Sequence, residues 1–181
     1  KMIEAIRITL PYLALFSHIV LIALFLLVIF RDSFGKKAIA FLNQRALLIG
    51  FLISLGAIAG SLFYSEVLGY EACLLCWWQR VFLYPQLVLF AIALWKNERS
   101  VFAYSVVLSV FAGVIAAYQS YVYMGGASLL PCTAAEGGCS KIYVKEFGYI
   151  TIPMMSLTVV LYYLLLAWIN KIYRNSSTSS L

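Results

Sequence analysis

The chain has 181 residues, of which 64% are hydrophobic and 11% charged, with a mean hydropathy of +0.96 and a formal net charge of +6. A soluble domain is nearer half apolar and a quarter charged, so these values exclude a soluble fold and point to a membrane protein of one domain's length. The positive balance does not point to nucleic acid: Lys and Arg gather in the cytoplasmic loops of membrane proteins, and no basic surface interleaved with aromatics is present.

A membrane crossing needs about 20 apolar residues. Five runs meet that length, at roughly residues 10–30, 46–64, 75–95, 101–121 and 150–169. Each is predicted to be a helix, because lipid offers no partner to an open backbone, and continuous apolar runs do not alternate as barrel strands do. The first run carries His18, the only histidine, read here as a hydrogen-bonded packing residue. The connector after it holds Arg31, Lys36, Lys37 and Arg45. The second run contains a G-x-x-x-G step, Gly56 and Gly60, expected to serve internal helix packing.

Next comes "EACLLCWWQR", residues 71–80. A staple closing so short a loop as Cys73–Cys76 stabilises little, whereas C-x-x-C pairs occur where a disulfide opens and closes. With a helix from Cys76 onward, Arg80 falls one turn along the same face. The guanidinium and the helix N-terminus together favour a thiolate at Cys76. Pro85 is expected to kink the third span. A tight link follows with Lys96 and Arg99, and the fourth span carries the small residues Ala112, Gly113, Ala116, Ala117 and Ser120.

The connector between the fourth and fifth spans reads "LLPCTAAEGGCS" and holds Cys132 and Cys139. Turn formers surround both thiols, so closure of a disulfide is plausible and the pair suits docking to another protein's thiol. The stretch "KIYVKEFGYITIP" places Tyr143, Val144, Phe147 and Ile150 on one helical face and is expected to be a short amphipathic interfacial helix. Pro153 suits the first turn of the last span. Lys171 and Arg174 begin a tail, 171–181, expected to be disordered.

Two crossings separate the cysteine pairs, so all four thiols emerge on one side. Eight of the 13 cations lie on the other side if there are five crossings. The positive-inside bias then makes the cysteine side extracytoplasmic, where disulfides persist. A zinc site fits poorly, because C-x6-C is not a knuckle spacing and His18 lies in another span. No metal site is expected. The chain shows no haem-attachment motif, no G-x-G-x-x-G turn and no thioredoxin-like soluble domain. A lipid-soluble quinone is therefore the expected electron acceptor, beside Cys76 between the second and third spans. Trp77, Trp78, Gln79 and Tyr84 stand around that position, although for the tryptophans an interfacial aromatic belt is the preferred reading. Arg80 is suited to a reduced quinone oxyanion.

The segment C-L-L-C-W-W-Q-R at 73–80 resembles the C-x-x-C-x-x-x-R signature of the DsbB/BdbC family of disulfide bond formation proteins. "FLNQRALLIGF" is similar to the start of that family's first helix, and "GGCSKIYVKEFGYITIPMMSLT" to its second loop and last helix. The resemblance covers roughly residues 41–170. It implies an all-α membrane protein, a four-helix transmembrane bundle of DsbB type, here with an additional N-terminal helix over residues 1–40. It implies a bacterial inner (plasma) membrane location and electron flow from a DsbA- or BdbD-like thioredoxin-fold oxidase to ubiquinone or menaquinone. By resemblance, Cys132 is attacked by the partner's thiolate, Cys139 resolves and exchanges with Cys73, and Cys76 donates to quinone with help from Arg80. The second pair is closer together here than in the enterobacterial members. Other classes are a vitamin-K-epoxide-reductase-like enzyme, whose cysteine pairs usually come in the opposite order, a disulfide-stapled scaffold, and a transporter, for which no membrane-embedded acid speaks.

Overall fold

A computed structural model of the protein describes residues 1–30, 33–127 and 142–178. The helices are α1 (Met2–Ile29), α2 (Ser33–Leu62), α3 (Leu74–Lys96), α4 (Val101–Tyr123) and α5 (Ile152–Thr178). All five are long and apolar enough to cross a membrane, as the apolar runs predict. The protein is thus an all-α, multi-pass membrane protein. Among the described residues the only β pairing is an isolated bridge, Glu146 to Ile150.

α2, α3, α4 and α5 close a ring in which each packs on its sequence neighbour and α5 returns to α2. α1 stands outside the ring and touches only α5 and α2 among the stronger contacts. The bundle core is centred on Phe90, fully buried, stacked on Tyr163 at 5.6 Å and set edge-on to Phe102 at 5.8 Å. Gly50 makes room for that ring: a Cβ there would lie 2.5 Å from Phe90 Cε1. Most of the small residues of α4 pack as expected, although Ala117 is exposed. Ala112 and Ala116 are fully buried, and a Cβ on Gly113 would sit 3.1 Å from Val160 on α5.

Most polar side chains inside the bundle are partnered, as a low-dielectric interior requires; among the described residues the Ser120 hydroxyl is buried without a hydrogen-bond partner. Ser105 donates to Gln86 Oε1 at 2.5 Å, and Gln86 Nε2 donates to Ser109 at 3.3 Å. At the end remote from Cys73, Asn97 turns the chain in a left-handed conformation (φ 51°). Arg99 Nη1 then donates to the Asn43 carbonyl, to Asn43 Oδ1 and to Asn170 Oδ1 at 3.0, 2.9 and 3.3 Å. One guanidinium ties α2, the α3–α4 turn and α5 together.

Three expectations are overturned. Residues 171–178, read as part of a disordered tail, continue α5 as helix. Residues 142–150 are not an amphipathic helix. Glu146 and Ile150 exchange backbone hydrogen bonds at 3.0 and 2.9 Å around a turn with φ 54° at Phe147 and 79° at Gly148. Two successive left-handed residues cannot continue a right-handed helix, and Gly148 makes the turn accessible. The apolar residues of this stretch are still used: Val144 and Ile150 are buried. The Gly56–Gly60 step is not a close helix contact, since a Cβ at either position would meet nothing within 4 Å. α3 is helical on both sides of Pro85, and Pro153 falls in the first turn of α5 as expected.

Candidate redox site

The C-x-x-C segment begins α3. Cys73 is the N-cap residue, in extended backbone (φ −70°, ψ 168°), and its carbonyl accepts the Trp77 N–H at 3.0 Å. Cys76 is then the third helical residue. Side chains at N-cap and N3 fold toward each other across a helix start, and the two sulfurs lie 3.2 Å apart. That is only about 1 Å more than a disulfide bond. Both sulfurs stand at the positive end of α3, where negative charge is stabilised.

The residues that follow set the surroundings. Gln79 is buried and donates through Nε2 to Gln119 Oε1 on α4 at 2.6 Å. With its oxygen so engaged, Gln119 turns its nitrogen to the cysteines, 3.3 Å from Cys73 Sγ and 3.5 Å from Cys76 Sγ. Gln119 is fully buried, and its nitrogen is also 3.5 Å from the Tyr123 hydroxyl. It is a residue the sequence reading passed over. The available signal was a lone amide near the end of an otherwise apolar span, where polar side chains are costly and seldom idle.

Arg80 lies one turn beyond Cys76. Its Nε donates to Ser61 Oγ at 3.1 Å and its Nη2 to the Ser61 carbonyl at 3.3 Å. The Tyr84 hydroxyl also donates to Ser61 Oγ, at 3.0 Å. The guanidinium carbon sits 5.1 Å from the centre of the Trp77 ring and 6.0 Å from that of Tyr84. These contacts pin the cation to α2 and keep it among aromatics.

Cys73, Cys76, Gln79, Arg80 and Tyr84 all border one cavity of about 360 Å³, between α2, α3, α5 and α1. Its other walls are mainly apolar, with Ile53, Leu83, Met155 and Val159 among them. Near it three tyrosines stack, Tyr64 on Tyr70 at 5.9 Å and Tyr70 on Tyr143 at 4.6 Å. Pockets of about 300–1,000 Å³ with a few converging polar groups hold small organic ligands. An apolar cleft with a dithiol pair and one cation fits a flat, lipid-soluble quinone ring. Trp77 is not on the cavity wall. It is 57% exposed, because the position after Cys76 is rotated about 100° around the helix. Trp77 and Trp78 near one end of α3 and Trp95 at the other are all exposed, the arrangement of interfacial belts. Cys132 and Cys139 lie outside the described residues. His18 is hydrogen-bonded as expected, with Nε2 2.7 Å from Thr158 Oγ1 and Nδ1 3.4 Å from the Tyr149 hydroxyl.

A ring of membrane-crossing helices that opens a C-x-x-C pair onto an apolar cavity defines a membrane protein of thiol–disulfide chemistry. The chain belongs to the DsbB family of disulfide bond formation proteins, whose profile matches residues 43–170, and an oxidoreductase role follows. It is 39% identical over 110 residues to the SPbeta prophage-derived disulfide bond formation protein B of Bacillus subtilis (strain 168), covering 61% of this chain and 74% of that protein. It is 32% identical over 118 residues to a probable disulfide formation protein of Metapseudomonas resinovorans, covering 64% and 82%. A probable disulfide formation protein of Coxiella burnetii (strain Dugway 5J108-111) is 33% identical over 132 residues, covering 70% and 90%. No solved structure matches the chain significantly.

Proposed function

We propose that the protein reoxidises an extracytoplasmic, DsbA- or BdbD-like thioredoxin-fold oxidase and passes the electrons to membrane quinone, ubiquinone or menaquinone. In this reading residues 41–170 are the catalytic bundle, residues 1–40 carry the added helix and residues 171–181 are a cytoplasmic tail. The cysteine side faces the periplasm or exterior of a bacterial inner (plasma) membrane. The observation that carries the reading is the Cys73–Cys76 pair opening onto an apolar cavity that also holds Arg80.

The steps follow thiol–disulfide exchange, in which a thiolate displaces one sulfur of a disulfide through a mixed disulfide. The partner's thiolate attacks Cys132 of a Cys132–Cys139 disulfide. The partner's second thiol then displaces Cys132, which leaves the partner oxidised and this pair reduced. Cys139 exchanges with Cys73 of a Cys73–Cys76 disulfide, and closure of Cys132–Cys139 leaves Cys73 and Cys76 reduced. Re-forming the Cys73–Cys76 bond releases two electrons and two protons. Quinone, when bound, supplies the two-electron, two-proton sink. On the protein side, Gln119 Nε2 and the N-terminus of α3 stabilise negative charge on the sulfurs. Arg80, held by Ser61, offers a fixed positive charge to an oxyanion in the cavity without needing to reorganise.

The test is ubiquinone-1 reduction by the purified full chain supplied with a reduced thioredoxin-fold oxidase. Sustained reduction that disappears in Cys76→Ser supports the reading. Undiminished turnover in that variant would remove Cys76 from the path.

A further inference from the structure

The family match begins at residue 43, so all of α1 lies outside it. Yet α1 contributes Leu10, Leu13, Ala14 and Ser17 to the wall of the cavity that holds Cys76 and Arg80. Their spacing, i, i+3, i+4 and i+7, is one helical face. α1 is also fixed in rotation at this level. The Tyr162 hydroxyl of α5 donates to the Ser17 carbonyl at 2.7 Å, and Ser17 Oγ lies 3.3 Å from the same hydroxyl. One residue on, His18 bonds Thr158 of α5 at 2.7 Å. Toward the other end, Val28 is buried with Ile39, Leu165 and Ile169. From α2, Gly56 and Gly60 border the cavity, and no atom stands within 4 Å of a Cβ on either. A helix bound only by apolar surface turns freely against lipid, which is as apolar as its partner. Polar bonds at Ser17 and His18 instead present one chosen face to the cavity.

We infer that α1 is a wall of the acceptor site, and that Leu13, Ala14 and Ser17 help decide which lipid-soluble para-quinone the site takes. The inference rests on the quinone reading above and extends it to a helix that the family match leaves out. Without α1 the cavity loses this side. With it, the ring is enclosed between α1 and the wall that carries Cys76, and changes in side-chain size on α1 alter the fit directly.

The test uses the full chain in detergent, photolabelled with an azido-substituted ubiquinone. Label is expected on the peptide spanning residues 8–31, competed by excess ubiquinone-1. Ala14→Phe, which fills the site, is expected to cut that labelling and raise the ubiquinone-1 KM about tenfold, with dithiothreitol as reductant and kcat little changed. Leu13→Ala, which removes bulk, is expected to change the KM ratio between ubiquinone-1 and menadione by about the same factor. Ile19→Phe, on a strongly exposed position away from the cavity wall, serves as the control and leaves both quantities unchanged. Competed label confined to α2–α5, or wild-type KM values in both wall variants, overturns the inference and leaves the quinone reading standing. A wild-type protein that neither reduces ubiquinone-1 nor shows competed label overturns both.

Discussion

Gln119 and Cys73 are 46 residues apart in sequence, yet the amide nitrogen of one stands 3.3 Å from the sulfur of the other. The orientation is supported from behind: Gln79 donates to the Gln119 oxygen at 2.6 Å, and the N–H2 end is the nearer one to both sulfurs, with Oε1 4.0 Å from Cys76 Sγ. A donor aimed at both sulfurs favours them when they carry charge and contributes little when they are bonded to each other.

Replacing Gln119 by Leu removes that donor and leaves Gln79 buried without its acceptor. A lost hydrogen bond to a charged group is worth about 1.5–3 kcal/mol, so quinone reduction should fall by at least about tenfold. Steady-state turnover and alkylation of Cys76 by iodoacetamide, measured in parallel, check it. Wild-type values in both would mean the amide is only packing.

Ser61 accepts from both Arg80 Nε and the Tyr84 hydroxyl. Ser61→Ala keeps the cation and removes one of its anchors. The expected result is a several-fold rise in the KM for ubiquinone-1 with kcat nearly unchanged, a loss of about 1 kcal/mol of positioning. Arg80→Ala should lower kcat as well, since the charge itself is gone.

Two glycines of α2 should behave oppositely. Gly50→Ala drives a methyl into Phe90, which is held by the rings of Tyr163 and Phe102. Overpacking of this kind costs about 1–3 kcal/mol. Gly56→Ala meets open space and should stabilise the helix by up to about 1 kcal/mol. Thermal unfolding in detergent distinguishes the two, and a G50A protein as stable as wild type would contradict the packing described for Phe90.

Arg99→Met should destabilise the bundle by about 2–4 kcal/mol, because Asn43 and Asn170 lose a shared charged donor. Its distance along the bundle from the cysteines predicts unchanged KM for quinone in whatever fraction remains folded. A Tm equal to wild type would show the tie to be dispensable.

The proposed roles of Cys132 and Cys139 are open to trapping. In oxidising cells Cys139→Ser should accumulate a mixed disulfide between Cys132 and a thioredoxin-fold protein, removed by dithiothreitol and absent from a Cys132→Ser, Cys139→Ser double variant. Failure to recover that adduct would favour a scaffold role for the pair.

Much of this molecule is written locally. Five apolar runs determine five crossings, since lipid leaves the backbone only a helix or a closed barrel and runs without alternation do not form barrel strands. A C-x-x-C at a helix start brings its sulfurs together, and an arginine four residues later shares their face, because helical geometry is set over a single turn. Tertiary packing decided the rest. Gln119 meets the cysteines only because α4 packs beside α3. Gly56 and Gly60 border a cavity and not another helix, which no spacing rule distinguishes. The 142–150 segment turns instead of coiling, its two left-handed residues closed by the Glu146–Ile150 bridge. α1 faces the cavity through bonds to Tyr162 and Thr158, more than 100 residues away in sequence. Side chains that meet across helices are chosen by the shape of the whole bundle, and hydropathy along the chain carries no record of that shape.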